Sequence, residues 1–305
     1  MKRYGKVSLE TQVTAESFSA LIIALNLKSP VLIKPNWGTV ECFTEAQILD
    51  WTLAAIPGDK LVIESHGWAR NEETLHQQAS PGLTKTNLRQ GDRWFLEHTG
   101  MDRVLAKHHV AYLNLTEEIW AGRAADPALI QAAVEAKFTP VEQKDLYAKV
   151  PARLYEMRGG SLLSLAKHKI VFYPLGVSLS IKNLFGLIPG PSRGKYHGKN
   201  DTLLDQSIVD INKIYRSLFS LKGIVEVVHS FGRLETATDR THVYPGLGLA
   251  MASEDTVSLD AFAAFAGGRT PDSVGHLRLA AQTFGGWDPH IGEEVEQSGT
   301  QVLGG

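Results

Sequence analysis

The chain has 305 residues, a net charge of −2 at pH 7 and a sequence pI near 6.6. Hydrophobic residues make up 43% and charged residues 21%, which is typical of a globular protein with a sizeable core. This balance gives no overall reason to expect nucleic acid or an anionic membrane as a partner, so any electrostatic function must be local.

Localisation and redox chemistry are constrained by the N-terminus and by the cysteine count. The segment MKRYGKVSLETQV lacks the apolar stretch of a secretion signal, and ALIIAL is too short to span a bilayer, so we expect a cytoplasmic protein. The single cysteine, Cys42, excludes an internal disulfide, a four-cysteine iron–sulfur cluster and a structural zinc knuckle. We interpret Cys42 as a packed small hydrophobe.

In the first half of the chain, apolar runs alternate with amphipathic helical patterns. The run VLIKPNW (31–37) predicts a buried strand, and Thr44 is the expected N-cap of the helix after it. The next predicted elements are a strand in DKLVIESHG (59–67), a helix in DRWFLEHTGMDRVLAKH (92–108), a strand in VAYLNLTEE (110–118) and a helix in DPALIQAAVEAKF (126–138).

The second half continues the alternation. The predicted elements are strands in GGSLLSLAKHKIVF (159–172), KGIVEVVHSFG (222–232) and GLGLAMASED (246–255), and helices in TLLDQSIVDINKIYRSLF (202–219) and TVSLDAFAAFAGG (256–268). Ser253 or Asp255 is the expected cap of the last helix. Because the chain after Trp287 carries four acids, no lysine or arginine and few apolar residues, we expect a solvated surface segment there.

No repeat, low-complexity tract or long linker divides the chain. We therefore expect a single α/β domain over residues 1–305, with Rossmann-like layers in which a mostly parallel sheet has helices on both faces. Segments 67–91 and 186–200 are candidate lids. The second follows SIKNLFGL (180–187), which we expect to be a helix.

Ligands of open parallel sheets bind beyond the carboxyl ends of the strands, where four of the predicted strands carry polar residues. These are Lys34 and Asn36, then Glu64, Ser65 and His66, then Lys167 to Lys169, and finally His229 and Ser230. A cation such as Lys34 at the end of a buried strand is unusual. Glu64 as a turn cap, and both histidines as ordinary hydrogen-bonded residues, are the alternative interpretations.

The segment at 190–194, GPSRG, matches the nucleophile-elbow pattern G-x-S-x-G, but a predicted helix and loop precede it where the elbow needs a strand. The phosphate-binding loop and dinucleotide patterns fail on glycine spacing. What remains is a concentration of cations without an acid. Lys182, Arg193, Lys195 and Lys199 either hold an anion or belong to a solvated basic loop.

The histidine spacing does not predict a metal site. The chain has eleven histidines but no H-E-x-x-H pair, and the adjacent histidines of KHHV point in different directions on a helix. A site built from Glu64, His66, His197 and His229 requires convergence in the fold. We therefore assign no metal ligands.

Four segments resemble, in order, the blocks of the family known as domain of unknown function 362. They are VLIKPNW, SLLSLAKHK, SIKNLFGLIPG with an arginine and a histidine soon after, and GLGLAMASEDTVSLDAFAA, and together they span roughly residues 30–265. The resemblance implies an α/β domain with a shared site but no established reaction. The residues that it implies for this site are Lys34, Asn36, Lys169, Lys182, Asn183, Arg193, His197, Asp255 and Asp260.

The chain departs from the family pattern at three places. Relatives carry ferredoxin-like cysteine motifs, whereas this chain has only Cys42, so an iron–sulfur cluster is not expected. Lys169 is followed by Ile170 and Val171 where relatives have Lys-Thr-His, and His229 stands where an aspartate is expected.

The leading hypothesis is an enzyme that acts on a small anionic metabolite, a carboxylate or phosphate, with no nucleic-acid or membrane partner and with cofactor and oligomeric state left open. The candidate catalytic residues are Lys34, His66, Lys169, Lys182, His197 and His229. The candidate substrate-binding residues are Asn36, Glu64, Asn183, Arg193, Lys195, Asp255 and Asp260. A lowered lysine pKa would allow Schiff-base chemistry at Lys169 or Lys182. The alternatives are a non-catalytic anion-binding accessory protein and a metal-assisted enzyme with His and Glu ligands.

Overall fold

The chain forms one sheet of eight strands and a second sheet of four, in a computed structural model that describes residues 1–67, 69–70, 84–172, 175–236 and 241–302. The strands are β1 (Lys2–Tyr4), β2 (Val7–Glu10), β3 (Val31–Pro35), β4 (Lys60–Glu64), β5 (Ala111–Asn114), β6 (Ser161–Lys167), β7 (Lys169–Val171), β8 (Val177–Ser178), β9 (Ser220–Val227), β10 (Ser230–Leu234), β11 (His242–Pro245) and β12 (Leu249–Ser253).

The described helices connect these strands and cover the large sheet. They are α1 (Ala15–Ala24), α2 (Ala46–Ala55), α3 (Lys85–Thr99), α4 (Met101–Lys107), α5 (Leu115–Trp120), α6 (Pro127–Glu135), α7 (Ala152–Glu156), α8 (Ser180–Asn183), α9 (Leu204–Leu218), α10 (Thr256–Ala266), α11 (Gly275–Phe284) and α12 (Ile291–Ser298). Short 3₁₀ helices occupy Lys144–Lys149, Leu184–Leu187, Ser192–Tyr196, Lys199–Asp201 and Pro271–Ser273. Among the helices in these ranges, none is long and apolar enough to cross a bilayer.

The large sheet has the strand order β1-β2-β12-β9-β6-β3-β4-β5. Strands β9, β6, β3, β4 and β5 are parallel, whereas β12, β2 and β1 extend the sheet antiparallel. From β3 the chain moves outward to β4 and β5, then returns to place β6 and β9 on the other side. This is the doubly wound order of Rossmann-like folds, so the predicted fold class is confirmed.

Both faces of the parallel sheet are covered, as the uninterrupted apolar run of β3 predicted. Val31 and Ile33 point to the core formed with α1 to α4. Leu32 points to the opposite core, formed with α6, α9 and α10.

The small sheet, in the order β11-β10-β7-β8, continues the large one beyond its carboxyl edge. Strand β7 follows β6 after one residue and pairs in parallel with β10, which follows β9. The residue between β6 and β7, His168, is fully buried, and its Nε2 lies 2.9 Å from Ala263 O. The sequence predicted a single strand in 159–172, but the chain leaves the large sheet at His168.

Other local predictions are also wrong. Thr44 does not cap α2, because its hydroxyl accepts from Asn36 N and donates to Leu165 O. Gly100, with φ of +76°, divides the helix predicted over 92–108 into α3 and α4. The segment after Trp287 forms α12 and buries Ile291 and Val295, so it is not simply a solvated segment.

Candidate functional site

The doubly wound order places a topological switch point between β3 and β6, where the connections leave in opposite directions. In open α/β sheets ligands bind in the crevice that such a switch point opens at the carboxyl ends of the strands. Lys34 and Asn36 lie at this end of β3, Glu64 at the end of β4, and Lys167 at the end of β6. The candidate site is therefore built from this edge of the sheet.

Lys34 is fully buried, and its ammonium group has no free donor. Nζ donates to Pro35 O at 2.8 Å, Glu64 Oε2 at 2.8 Å and Asn183 Oδ1 at 3.1 Å. Burial lowers the pKa of Lys34 to about 8, although the Glu64 carboxylate opposes this shift. Since an ammonium group has three N–H donors, Lys34 positions its neighbours and does not offer a hydrogen bond to a ligand.

The Glu64 carboxylate is also fully engaged. It accepts from the backbone N–H of Ser65 at 3.0 Å and from that of Trp37 at 3.4 Å, and it lies 3.7 Å from the buried Arg70 guanidinium. Arg70 also forms an ion pair with Asp92. Glu64 is thus the centre of a buried charge network, and its role in this structure is to hold that network together.

His66 is buried beside that network with both ring nitrogens occupied. Its Nδ1 lies 3.0 Å from Asn114 Nδ2, which can only donate, and its Nε2 lies 2.8 Å from Glu117 Oε1. The hydrogen-bond pattern assigns the neutral tautomer with the proton on Nε2. Burial lowers the pKa of His66 to about 4, so the ring is neutral near pH 7.

The short helix α8 presents Lys182 and Asn183 at the carboxyl edge, and Asp260 holds its first turn. The two oxygens of this fully buried carboxylate accept from Ser180 N at 3.0 Å and Ile181 N at 2.7 Å. Burial raises the pKa of Asp260 to about 7, while the two backbone hydrogen bonds act in the opposite direction. Asp260 is therefore a positioning residue for α8.

Lys182 differs from Lys34 in having no partner among the described residues. It is half-buried, and its Nζ makes no hydrogen bond or ion pair with the residues that the structure describes. Burial lowers the pKa of Lys182 to about 8, the Lys169 ammonium group contributes to the lowering, and Asp201 and Asp205 oppose it.

Lys169, like Lys182, is half-buried and has no partner in the described part of the chain. Burial is the main cause that lowers its pKa. Lys167, two residues earlier, is fully buried between Glu226 and Glu45 and forms ion pairs with both. Of the three charged or basic residues in the segment 167–169, Lys169 is the one available to a ligand.

His197 lies near Lys182 and retains one unoccupied ring nitrogen within the described residues. Its Nδ1 is 2.6 Å from Asp201 Oδ1, and its ring packs edge-on against Phe185 at 5.1 Å. Burial lowers the pKa of His197, the hydrogen bond to Asp201 opposes this effect, and the nearby Lys182 charge adds to it.

Arg193 and Lys195 both lie in the candidate lid at 186–200 but have different surroundings. Arg193 donates to three backbone carbonyls, those of Gly186, Ile188 and His66, and so ties this segment over the buried network. Burial lowers the pKa of Arg193 to about 10. Lys195 is exposed and forms an ion pair with Asp145 on the outer side.

Two candidate residues lie apart from this cluster. His229 is exposed at the end of β9, with its ring 6.3 Å from that of Trp51. Asp255 lies at the opposite edge of the sheet, since β12 runs antiparallel to β9. There it caps α10 by accepting from the backbone N–H of Val257 and Ser258, and it pairs with Lys6.

Several buried polar residues near the site were not anticipated. His276 is fully buried 3.5 Å from Asp205, and it contributes to the surroundings of Lys182. Glu226, within the apolar run IVEVV, is the one with a visible signal in the sequence, because an acid in a buried strand requires a partner. Asp205 lies in a different element from His276, so the pair gives no local pattern in the sequence.

The remaining predictions about this region concern lids and metals. Of the candidate lid at 67–91, residues 68 and 71–83 lie outside the described residues, and Lys85 begins α3. Ser192 lies in a 3₁₀ helix and not at a strand-to-helix turn. Among the residues that the structure describes, no three His, Cys, Asp or Glu side chains are grouped as metal ligands.

Comparison with known protein families agrees with the resemblance of the four sequence segments described above. Residues 31–265 match the model of the family described as Domain of unknown function (DUF362). No curated protein and no solved structure matches the chain. Because the match covers more than half of its length, the chain belongs to this family.

Proposed function

We propose that this member of the domain of unknown function 362 family is an enzyme that acts on a small anionic metabolite, a carboxylate or a phosphate. Lys182 binds and polarises the anionic group. The observation that carries the proposal is that Lys182 is half-buried at the carboxyl edge without a hydrogen-bond or ion-pair partner among the described residues. A partly desolvated ammonium group is costly without a counter-ion, and an anionic ligand supplies one.

The neighbouring residues have distinct roles in this proposal. Lys169 provides a second positive charge, and His197 transfers a proton through Nε2 while Asp201 orients its ring. Lys34 and Asp260 act indirectly, because they fix Asn183 and the first turn of α8.

The lowered pKa of Lys182, about 8, supports a second use of the amine. Part of the Lys182 population is neutral near pH 7 and can attack a carbonyl carbon, losing water to form an imine. Incubation with pyruvate and borohydride would convert such an imine into a stable secondary amine, detected as a mass increase on the Lys182 peptide. Turnover of a carbonyl substrate with unchanged protein mass would rule out this route.

The decisive experiment measures turnover and affinity separately. The protein is incubated with a panel of small carboxylates and phosphates, and substrate loss is followed by NMR. We expect His197→Ala to lower the rate while keeping affinity, and Lys182→Met to lower affinity as well. Lys195→Met is the matched control, because Lys195 faces Asp145 on the outside. Binding without turnover would favour the anion-binding accessory protein.

The proposal also includes a cytoplasmic location and the absence of nucleic-acid and membrane partners. The near-neutral charge balance and the pI near 6.6 support the absence of nucleic-acid and membrane partners. Cell fractionation with an antibody against the native protein tests the location.

A further inference from the structure

Two buried side-chain amides beyond β3 are oriented by a chain of hydrogen bonds that begins at Lys34. The Lys34 ammonium group can only donate, so the Asn183 atom 3.1 Å from it must be Oδ1. Asn183 Nδ2 then donates to Lys34 O at 2.9 Å and to Ser164 Oγ at 3.1 Å. The Ser164 hydroxyl can accept this bond because its own proton is donated to Ser180 O.

This chain of hydrogen bonds also determines the orientation of the Asn36 side-chain amide. Asn183 Oδ1 lies 3.2 Å from the Asn36 amide, and an oxygen can accept only from Nδ2. Asn36 Oδ1 is consequently directed away from Asn183. It is buried, and no described residue donates a hydrogen bond to it.

A buried amide oxygen without a donor is unfavourable and rare in folded proteins. Asn36 is 7% exposed and lies directly beyond the carboxyl end of β3, next to the switch point at which ligands of this fold class bind. An unmet acceptor at this place indicates a hydrogen-bond donor on the ligand.

We propose that Asn36 Oδ1 accepts a hydrogen bond from a hydroxyl group of the ligand, which is therefore a hydroxylated carboxylate or phosphate. The inference rests on the proposed function, since Lys182 is taken to hold the anionic group. A neutral donor fits better than an ammonium group, because Lys34, Arg70 and Arg193 already concentrate positive charge beside Glu64.

The test uses two pairs of probes that differ in hydroxyl groups: lactate with propionate, and glycerol 3-phosphate with propyl phosphate. Affinities are measured by calorimetry on the wild-type protein, Asn36→Leu and Lys182→Met. We expect one pair to bind, with the hydroxylated probe about tenfold tighter than its partner. Asn36→Leu abolishes this preference, whereas Lys182→Met weakens both members of the pair by the same factor.

The outcomes separate this inference from the proposed function. If the two probes of the binding pair have equal affinity, the proposed hydroxyl contact is wrong, but the proposed anion site at Lys182 is not contradicted. A preference that survives in Asn36→Leu overturns Asn36 as the acceptor. Failure of all four probes to bind contradicts both proposals. If Asn36→Leu does not unfold cooperatively, the side-chain amide resonance of Asn36 in the wild-type protein decides, because it must shift with the hydroxylated probe alone.

Discussion

Lys34 Nζ lies 2.8 Å from Glu64 Oε2 in an ion pair whose two side chains are each 2% exposed. The same ammonium group donates a hydrogen bond to Asn183, and the Arg70 guanidinium lies 3.7 Å from the same carboxylate oxygen. The pair joins the ends of β3 and β4 to α8. The pair has a structural role in the candidate site, because neither group is free to bind a ligand.

Removing one member of this pair leaves a buried charge without its closest counter-ion. We expect Glu64→Gln or Lys34→Met to lower the free energy of unfolding by about 3–5 kcal/mol, measured by urea denaturation. Lys195→Met breaks the exposed pair with Asp145 and should cost about 1 kcal/mol or less. An equal loss of unfolding free energy in the buried-pair variants and in Lys195→Met would contradict the assignment of Lys34 and Glu64 as the centre of the buried charge network.

Gly186 allows the backbone to pass directly over the ion pair. A Cβ atom at this position would lie 2.9 Å from Lys34 Nζ and 3.1 Å from Glu64 Oε1. We expect Gly186→Ala to destabilise the protein by about 1–3 kcal/mol, seen as a lower urea midpoint. Gly194→Ala is the control, because its added Cβ has no atom within 4 Å. A Gly186→Ala variant as stable as the control would refute the close contact.

The Asp260 carboxyl predicts a specific pH dependence of stability. Its pKa is about 7 in the folded protein and 3.8 as the unperturbed value, so the folded state binds more protons between these limits. This contribution to stability is complete below the lower value and is lost as the pH rises through about 7. We expect Asp260→Asn to flatten the decrease in unfolding free energy between pH 5 and 8. An unchanged slope would show that Asp260 does not titrate there.

The Lys182 amine should differ from exposed lysines in its titration. Burial and the Lys169 charge lower its pKa to about 8. In NMR spectra of protein with reductively ¹³C-methylated lysines, the Lys182 signal should have a titration midpoint near pH 8, and Lys182→Arg identifies it. Lys169→Met should raise that midpoint, because a neighbouring positive charge is removed. A midpoint unaffected by Lys169→Met would show that the two amines do not face a common space.

The sequence by itself determined the fold class and the edge of the sheet that carries the polar residues. The periodicity of apolar residues is a local property of the sequence. The segments VLIKPNW and KGIVEVVHSFG could therefore be recognised as containing strands without knowledge of the segments that they contact in the fold. Parallel strands then bring their carboxyl ends to one edge, which places Lys34 beside Glu64.

Only the tertiary structure decided what each of these residues can do. Lys34 and Lys182 are both lysines in apolar surroundings. The Lys34 ammonium group donates to Pro35, Glu64 and Asn183, the last of which lies 149 residues away, whereas Lys182 has no partner among the described residues. Asp255 and Asp260 are five positions apart on one helix pattern, but the antiparallel β12 leaves Asp255 at the far edge while Asp260 reaches α8. Hydrogen bonding and desolvation depend on distances between remote segments, and such distances exist only once the chain has folded.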